Sequence, residues 1–258
     1  MAYQNILYEE RARIGILTLN RPEKRNALSL ALLNEMFSCL DQAGRESPVR
    51  AILLRGAGPV FCAGHDLREI LGQKLNDIRH LFQTCLDLMM LMHSIPQPVI
   101  AQVHGVATAA GCQLVAACDL AVAEEGARFA TPGVKLGLFC VTPMVPLSRA
   151  VGRKRAMEML LTGEMISAQD ALSYGLVNRV VPKEKLEEAA WSLATQIAQY
   201  SRVTLGLGKR AFYQQIEMTE AQAYPYAKEL ISANAVMGDA VEGMSAFFEK
   251  RDPIWKES

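Results

Sequence analysis

The chain carries no net charge, since its 27 Lys and Arg residues are matched by 27 Asp and Glu. Nucleic acids and anionic membrane surfaces bind a protein through a basic face that releases counterions, and this balance offers none. No apolar run approaches the ~20 residues that span a bilayer, so no membrane-crossing role is expected. The six cysteines, Cys39, Cys62, Cys85, Cys112, Cys118 and Cys140, include no Cys-x-x-Cys pair. Phe61-Cys62-Ala63 and Ala117-Cys118 have apolar neighbours and read as small buried hydrophobes in a reducing compartment. The four histidines are scattered without ligand spacing, so no metal site is expected. Gly/Ser linkers and low-complexity segments are missing too. The first strand pattern begins within a few residues of Met1, which leaves no room for a targeting segment in this chain. A cytoplasmic location is expected, or the mitochondrial matrix if a leader has been removed.

What is present is a mixed globular composition, 50% hydrophobic and 21% charged over 258 residues. A chain of that size can bury most of its apolar surface without staples. A neutral chain is also not kept apart by its own charge, which fits an oligomer. Residues 5–9 and 13–19 read as strands, the second stopped by Asn20-Arg21-Pro22. Residues 29–43 read as a helix capped by Ser29, with Leu30, Leu33, Met36, Phe37 and Leu40 at helical spacing. Strands follow at 51–54 and 99–103, with a long Leu- and Met-rich helix at 76–93 between them. Residues 108–117 read as a compact helix and 120–123 as a strand. This alternation predicts an α/β protein whose strands are buried on both faces. Beyond residue 141 the pattern is helical almost throughout, apart from a short strand at 176–181 after the helix stop Gly175. Ser167-x-x-Asp170 and Thr219-x-x-Gln222 have the spacing of capping boxes. A soft boundary near residue 200 separates a core (1–200) from a helical C-terminal region (201–258).

Two glycine-bearing turns carry the chemistry. In Phe61-Cys62-Ala63-Gly64-His65-Asp66-Leu67 a strand ends where Ala-Gly permits close backbone approach. In His104-Gly105-Val106-Ala107-Thr108-Ala109-Ala110-Gly111-Cys112 a turn feeds a helix whose first N–H groups are unpaired. One N–H from each turn, converging on a single oxygen, would make an oxyanion hole. Either turn alone also fits plain tight packing.

Four motifs occur together and in order. They are Asn20-Arg21-Pro22-x-x-x-Asn26-Ala27-Leu28, Phe61-Cys62-Ala63-Gly64-x-Asp66-Leu67, Gly111-Cys112-x-Leu114 with Cys118-Asp119, and Ala168-x-x-Ala171-x-x-x-Gly175-Leu176-Val177. With them the chain resembles the enoyl-CoA hydratase/isomerase (crotonase) family over residues 5 to 255. The resemblance implies a crotonase-like spiral of ββα units, a helical trimerisation region, and trimers or dimers of trimers. It implies a coenzyme A thioester as substrate or ligand, with no permanently bound cofactor. The thioester carbonyl would lie between the amides of His65 and Ala110. The Lys24, Arg25 and Ala27 segment and the backbone of Ala63, His65 and Leu67 would meet the coenzyme. Lys24, Arg25 and Arg68 would face phosphate or else be solvated surface. Lys209 and Arg210 are further basic candidates.

The chain also departs from that family. Family hydratases place glutamates where Gln113 and Gly133 stand, one to hold and activate water and the other to protonate the α-carbon. Gln113 can hold water but cannot take its proton, and Gly133 has no side chain. The aspartate of some family isomerases is also missing from Leu138-Phe139-Cys140-Val141-Thr142. Hydration is therefore not expected, and restoring both glutamates is expected to gain it. The imidazole of His65 can face the acyl pocket, or the residue can act through its N–H alone. Asp66 is expected to cap, Asp119 and His104 to be structural, and Cys140 to be buried. Phe82, Met89, Met90 and Met92 can line a pocket or form core. Whether the chain is an enzyme stays open between two alternatives, enolate chemistry of the acyl-CoA decarboxylase type and non-catalytic acyl-CoA binding. Gly64-His65-Asp66 resembles the Gly-His-Asp of family decarboxylases.

Overall fold

The computed structural model describes residues 3–257. Met1, Ala2 and Ser258, at the outer ends of the two expected regions, lie outside the described residues. Strand β1 (Ile6–Arg11) pairs antiparallel with β2 (Ile14–Leu19), and helix α1 (Leu30–Glu46) follows. Ser29 caps α1, its hydroxyl accepting the Leu32 N–H at 3.2 Å. Next come β3 (Ala51–Gly56), α2 (Leu75–Ser94), β4 (Val99–Val103), β5 (Val106–Thr108), α3 (Ala110–Ala117), β6 (Leu120–Glu124) and β7 (Arg128–Ala130). Two helices, α4 (Met144–Val151) and α5 (Arg153–Thr162), lead to β8 (Ile166–Ser167), α6 (Ala168–Tyr174) and β9 (Arg179–Val181). The chain closes with α7 (Leu186–Ala198), α8 (Arg202–Gln215), α9 (Glu220–Ala235) and α10 (Gly238–Glu249).

The large sheet runs β1-β2-β3-β4-β6-β9 and is parallel from β2 onward. Period-two alternation sends its side chains to opposite faces. Leu17, Leu19, Ile52, Leu54, Val99 and Ala101 join the core with α1, α2 and α3. Ile14, Ile16, Ala51, Leu53, Ile100 and Val122 pack with α7 through Leu186, Ala190, Leu193 and Ala194. Both faces are thus covered, as the continuous apolar runs predict.

A second ladder, β5-β7-β8, runs beside the first and is extended by single bridges between Leu28 and His65 and between Cys62 and Ala107. Successive turns of chain give one segment to the large sheet, one to this ladder, and then a helix, which makes the ββα spiral. The ladder corrects the expected helix at 108–117. Thr108 ends a strand, Ala109 turns with φ 49° and ψ −117°, and helix begins at Ala110. The strand expected at 176–181 is also shorter, because Leu176 and Val177 turn back to bond the Ala171 carbonyl.

The last helices are fastened to the core by a few buried polar clasps. Arg50 bonds the Ala198 carbonyl and pairs with Glu257. Arg202 bonds the Gly44 carbonyl, and Lys209 reaches the Gln97 carbonyl at 2.8 Å. Among the described residues no helix is long and apolar enough to cross a membrane, and no His/Cys/Asp/Glu group could hold a metal ion. All six cysteines are buried and free.

Candidate active site

Small residues let the two turns meet. A Cβ on Gly64 would stand 2.9 Å from the Ala109 Cβ and 3.4 Å from the Ala110 nitrogen. A Cβ on Gly111 would stand 2.2 Å from the Cys62 carbonyl oxygen, so the first turn of α3 lies directly on the end of the other segment. The ladder holds this register, with Thr108 N–H donating to Cys62 O at 3.0 Å and Ala109 N–H to Ala130 O at 2.9 Å. Around His65, Leu28 N–H donates to Gly64 O and Asp66 N–H to Leu28 O. Among the described residues neither the His65 N–H nor the Ala110 N–H has an acceptor in the chain. Ala110 opens a helix, so its N–H carries the positive end of the dipole. The backbone of Ala109 is strained for a residue with a Cβ, and such strain gathers at functional turns.

The preceding loop is tied to this turn. Asn26 is fully buried, and its amide donates to the carbonyls of Ala57, Val60 and Phe61. Arg21 donates to the Ala27 carbonyl and pairs with Asp66 at 3.3 Å, while Ala63 N–H donates to Arg25 O. Asp66 caps the short helix Leu67–Glu69 by accepting the Arg68 N–H, the structural role expected for it. Lys24, Arg25 and Arg68 are exposed and make no ion pair among the described residues. Sequence reasoning passed over Arg21 as a tie, although it stands within the Asn-Arg-Pro motif.

The His65 ring lies edge-on to Phe82 with centroids 5.0 Å apart, and neither ring nitrogen has a hydrogen-bond partner. The neighbouring Leu28 carbonyl accepts the Asp66 N–H and also faces the imidazole, where it opposes in part the effect of burial on the ring. Burial pushes the imidazole down to a pKa of about 4, so it is neutral at pH 7. Gln113, in the first turn of α3, is only 4% exposed, and its Oε1 is unpartnered. Phe82 therefore borders the site, whereas Met89 and Met92 belong to the core and Met90 is exposed.

Gly133 lies in the short helix Pro132–Leu136, and its N–H points at Cys140 Sγ, 3.3 Å away. A Cβ there would meet Cys140 Sγ and the Leu138 carbonyl oxygen, each at 2.8 Å. The space for a side chain has been refilled, so a glutamate at 133 does not fit this backbone. Restoring hydration with two glutamates would therefore also require the returning loop at Leu138 and Cys140 to move. Burial raises the Cys140 thiol above its usual pKa, offset in part by the Gly133 N–H, and the thiol is not a ready nucleophile.

Lys209 is also corrected. It is not a phosphate ligand on the surface. Its ammonium is buried, 2.7 Å from Asp119 Oδ2. Asp119 accepts in addition from the Val99 N–H and the Tyr213 hydroxyl, the structural role expected for it. Arg210 is exposed. His104 is half-buried rather than packed, and its ring bonds the Gly58 carbonyl at 2.9 Å.

A ββα spiral whose Gly64 and Gly111 turns pack directly on one another defines a class of protein, and the chain belongs to the enoyl-CoA hydratase/isomerase family, whose model matches residues 9–258. It is similar to the mitochondrial enoyl-CoA hydratase domain-containing protein 3 of Rattus norvegicus, with 48% identity over 240 residues, covering 93% of this chain and 80% of that one. The crystal structure of human enoyl Coenzyme A hydratase domain-containing protein 3 superposes with TM-score 0.95 at 45% identity, covering 98% of this chain and 100% of the other. An enoyl-CoA hydratase structure from Mycobacterium smegmatis gives TM-score 0.95 at 46% identity, covering 98% and 99%.

Proposed function

We propose that the protein binds the acyl thioester of coenzyme A and polarises its carbonyl between the N–H groups of His65 and Ala110. The observation that carries this reading is that the His65 and Ala110 N–H groups lack acceptors on two turns that Gly64 and Gly111 let pack against each other. Such donors act most strongly on charge that develops on the oxygen, as it does in an enolate. Lys24, Arg25 and Arg68 supply free cations for the phosphates of the coenzyme, and the backbone from Ala27 and from Ala63 to Leu67 supplies its hydrogen bonds. Ordinary hydration is not part of this function. Gln113 cannot remove a proton from water, and position 133 has neither an acid nor the room for one. The working form is a trimer or a dimer of trimers. Of the two expected locations, the mitochondrial names of the relatives favour the matrix.

Decarboxylation is the second reading, favoured because the N–H pair alone can stabilise an enolate. The C–C bond pair of a malonyl-type thioester becomes the enolate π bond, CO₂ leaves, and solvent returns a proton to the α-carbon. The test is calorimetric titration with butyryl-CoA, followed by mass analysis after incubation with crotonyl-CoA in ¹⁸O water. Saturable binding without labelled 3-hydroxybutyryl-CoA is expected. No binding would overturn the acyl-CoA reading, and labelled product would overturn the loss of hydration.

A further inference from the structure

Arg50 stands just before β3, and its side chain is only 4% exposed. Its Nη1 donates to the Ala198 carbonyl at 3.2 Å, and its Nη2 pairs with Oε1 of Glu257. Nε lies on the same edge of the planar guanidinium as Nη2. It is buried and has no partner among the described residues. The other Glu257 oxygen accepts the Arg202 N–H at 2.9 Å, and Arg202 opens the 14-residue helix α8. A helix start leaves that N–H without an intrahelical acceptor and carries the positive end of the dipole. One carboxylate therefore joins a buried cation to a helix N-terminus, the two parts of an anion site.

The carboxylate does not complete the site. Three donors adjoin it: the Nε–H and Nη2–H of Arg50 and the Arg202 N–H. Glu257 has two oxygens, and the Nε–H is left dry. A tetrahedral oxyanion turns three oxygens to one side and can serve both hydrogens of the guanidinium edge together with the N–H. The Glu257 side chain is 34% exposed, so it can turn out to solvent. Its backbone can stay behind, because Asp239 accepts the N–H groups of Lys256 and Glu257. Asp239 is the other carboxylate at this corner, and the Ser201 hydroxyl is a third donor to it. The corner lies at the amino end of β3, whereas the Gly64 turn follows the carboxyl end. Six residues of strand hold the two roughly 20 Å apart.

We propose that Arg50 and the N-terminus of α8 form a binding site for a tetrahedral oxyanion, inorganic phosphate or a phosphate monoester, and that the Glu257 carboxylate occupies it until such an anion displaces it. The site is independent of the acyl-CoA reading of the oxyanion turns.

The test is calorimetric titration of wild type and Glu257→Gln with inorganic phosphate, glycerol phosphate and acetate at constant ionic strength. Phosphate is expected to bind the variant roughly tenfold or more tighter than the wild type, because no charged side chain competes. Acetate, with two oxygens, is expected to bind the variant at least about fivefold more weakly than phosphate. The exposed Lys24, Arg25 and Arg68 are the same in both proteins, so phosphate held there cannot produce the difference. Equal phosphate affinities in the two proteins would overturn the proposal, as would acetate binding the variant as tightly as phosphate. Glycerol phosphate binding the variant would support a site for phosphate esters, and binding of phosphate alone would support one for the free anion. Adding Arg50→Lys to Glu257→Gln keeps the charge and removes the planar edge. A folded double variant that still prefers phosphate to acetate would overturn the assignment to Arg50, and the comparison of wild type with Glu257→Gln decides the matter even where the double variant fails to fold.

Discussion

At position 111 there is room for a hydrogen and nothing larger, since a Cβ would lie 2.2 Å from the Cys62 carbonyl oxygen. Gly111→Ala must therefore push α3 away from the other turn and separate the two N–H groups. We expect a loss of roughly 1–3 kcal/mol in urea unfolding together with loss of acyl-CoA binding. His65 gives a second prediction at this scale. Its folded pKa, about 4, lies below the unfolded value of 6.5, so the unfolded chain takes up the proton first. Its contribution to stability is complete above pH 6.5, falls as the pH drops from 6.5 to 4, and is constant below that. The loss should be on the order of 3 kcal/mol. Urea midpoints of wild type and His65→Phe, measured across that window, should show the slope in the wild type and a flatter profile in the variant. Equal slopes would mean that the ring is solvated.

The elements were legible wherever local chemistry repeats. The Ser29 cap and the Ser167/Asp170 capping box fall where the spacing placed them. At the second box, Gln222 Oε1 accepts from the Thr219 N–H, so that reading holds as well. The small ladder was not legible. Strands of two or three residues cannot display a period, and Thr108-Ala109-Ala110 reads as helix because only the ladder to Ala130 makes Thr108 extended. The turns of the site could be found because Gly64 and Gly111 mark a local steric need. The refilled space at Gly133 could not, because its occupants come from the returning loop at Leu138 and Cys140. Lys209 was misjudged for a similar reason, its partner Asp119 lying ninety residues earlier on another element. Desolvation lowers the pKa of Lys209, and Asp119 opposes that shift. Lys209→Ala would leave Asp119 without its cation at the junction of α8 and the sheet. We expect a loss of about 3–5 kcal/mol and faster proteolysis within α8–α10. A loss below 1 kcal/mol would show the pair to be solvent-screened.

Over the whole molecule the apolar surface is distributed unevenly. Helix α9 buries none of its residues, and Phe247 and Phe248 on α10 are 78% and 80% exposed. Tyr224 and Ile231 on α9 are exposed as well, and so much uncovered apolar side chain on the last two helices suits contact with further copies of the chain. Phe247→Ser with Phe248→Ser should convert a trimer or hexamer to monomer in light-scattering chromatography. An unchanged mass would place the interface elsewhere. The clasps between the core and the last helices also have a consequence in time. Arg50 is buried, but its ion-pair partner is Glu257. At 5–20 residues per second, synthesis takes roughly 10 to 40 s to get from one to the other. For that interval the guanidinium lacks its carboxylate, and until α7 has been made the sheet face that it will cover has no fixed lid. The nascent protein thus waits for about 140 residues of synthesis with an apolar β-surface open, and a holding chaperone would find its footing on that face rather than at the ligand site.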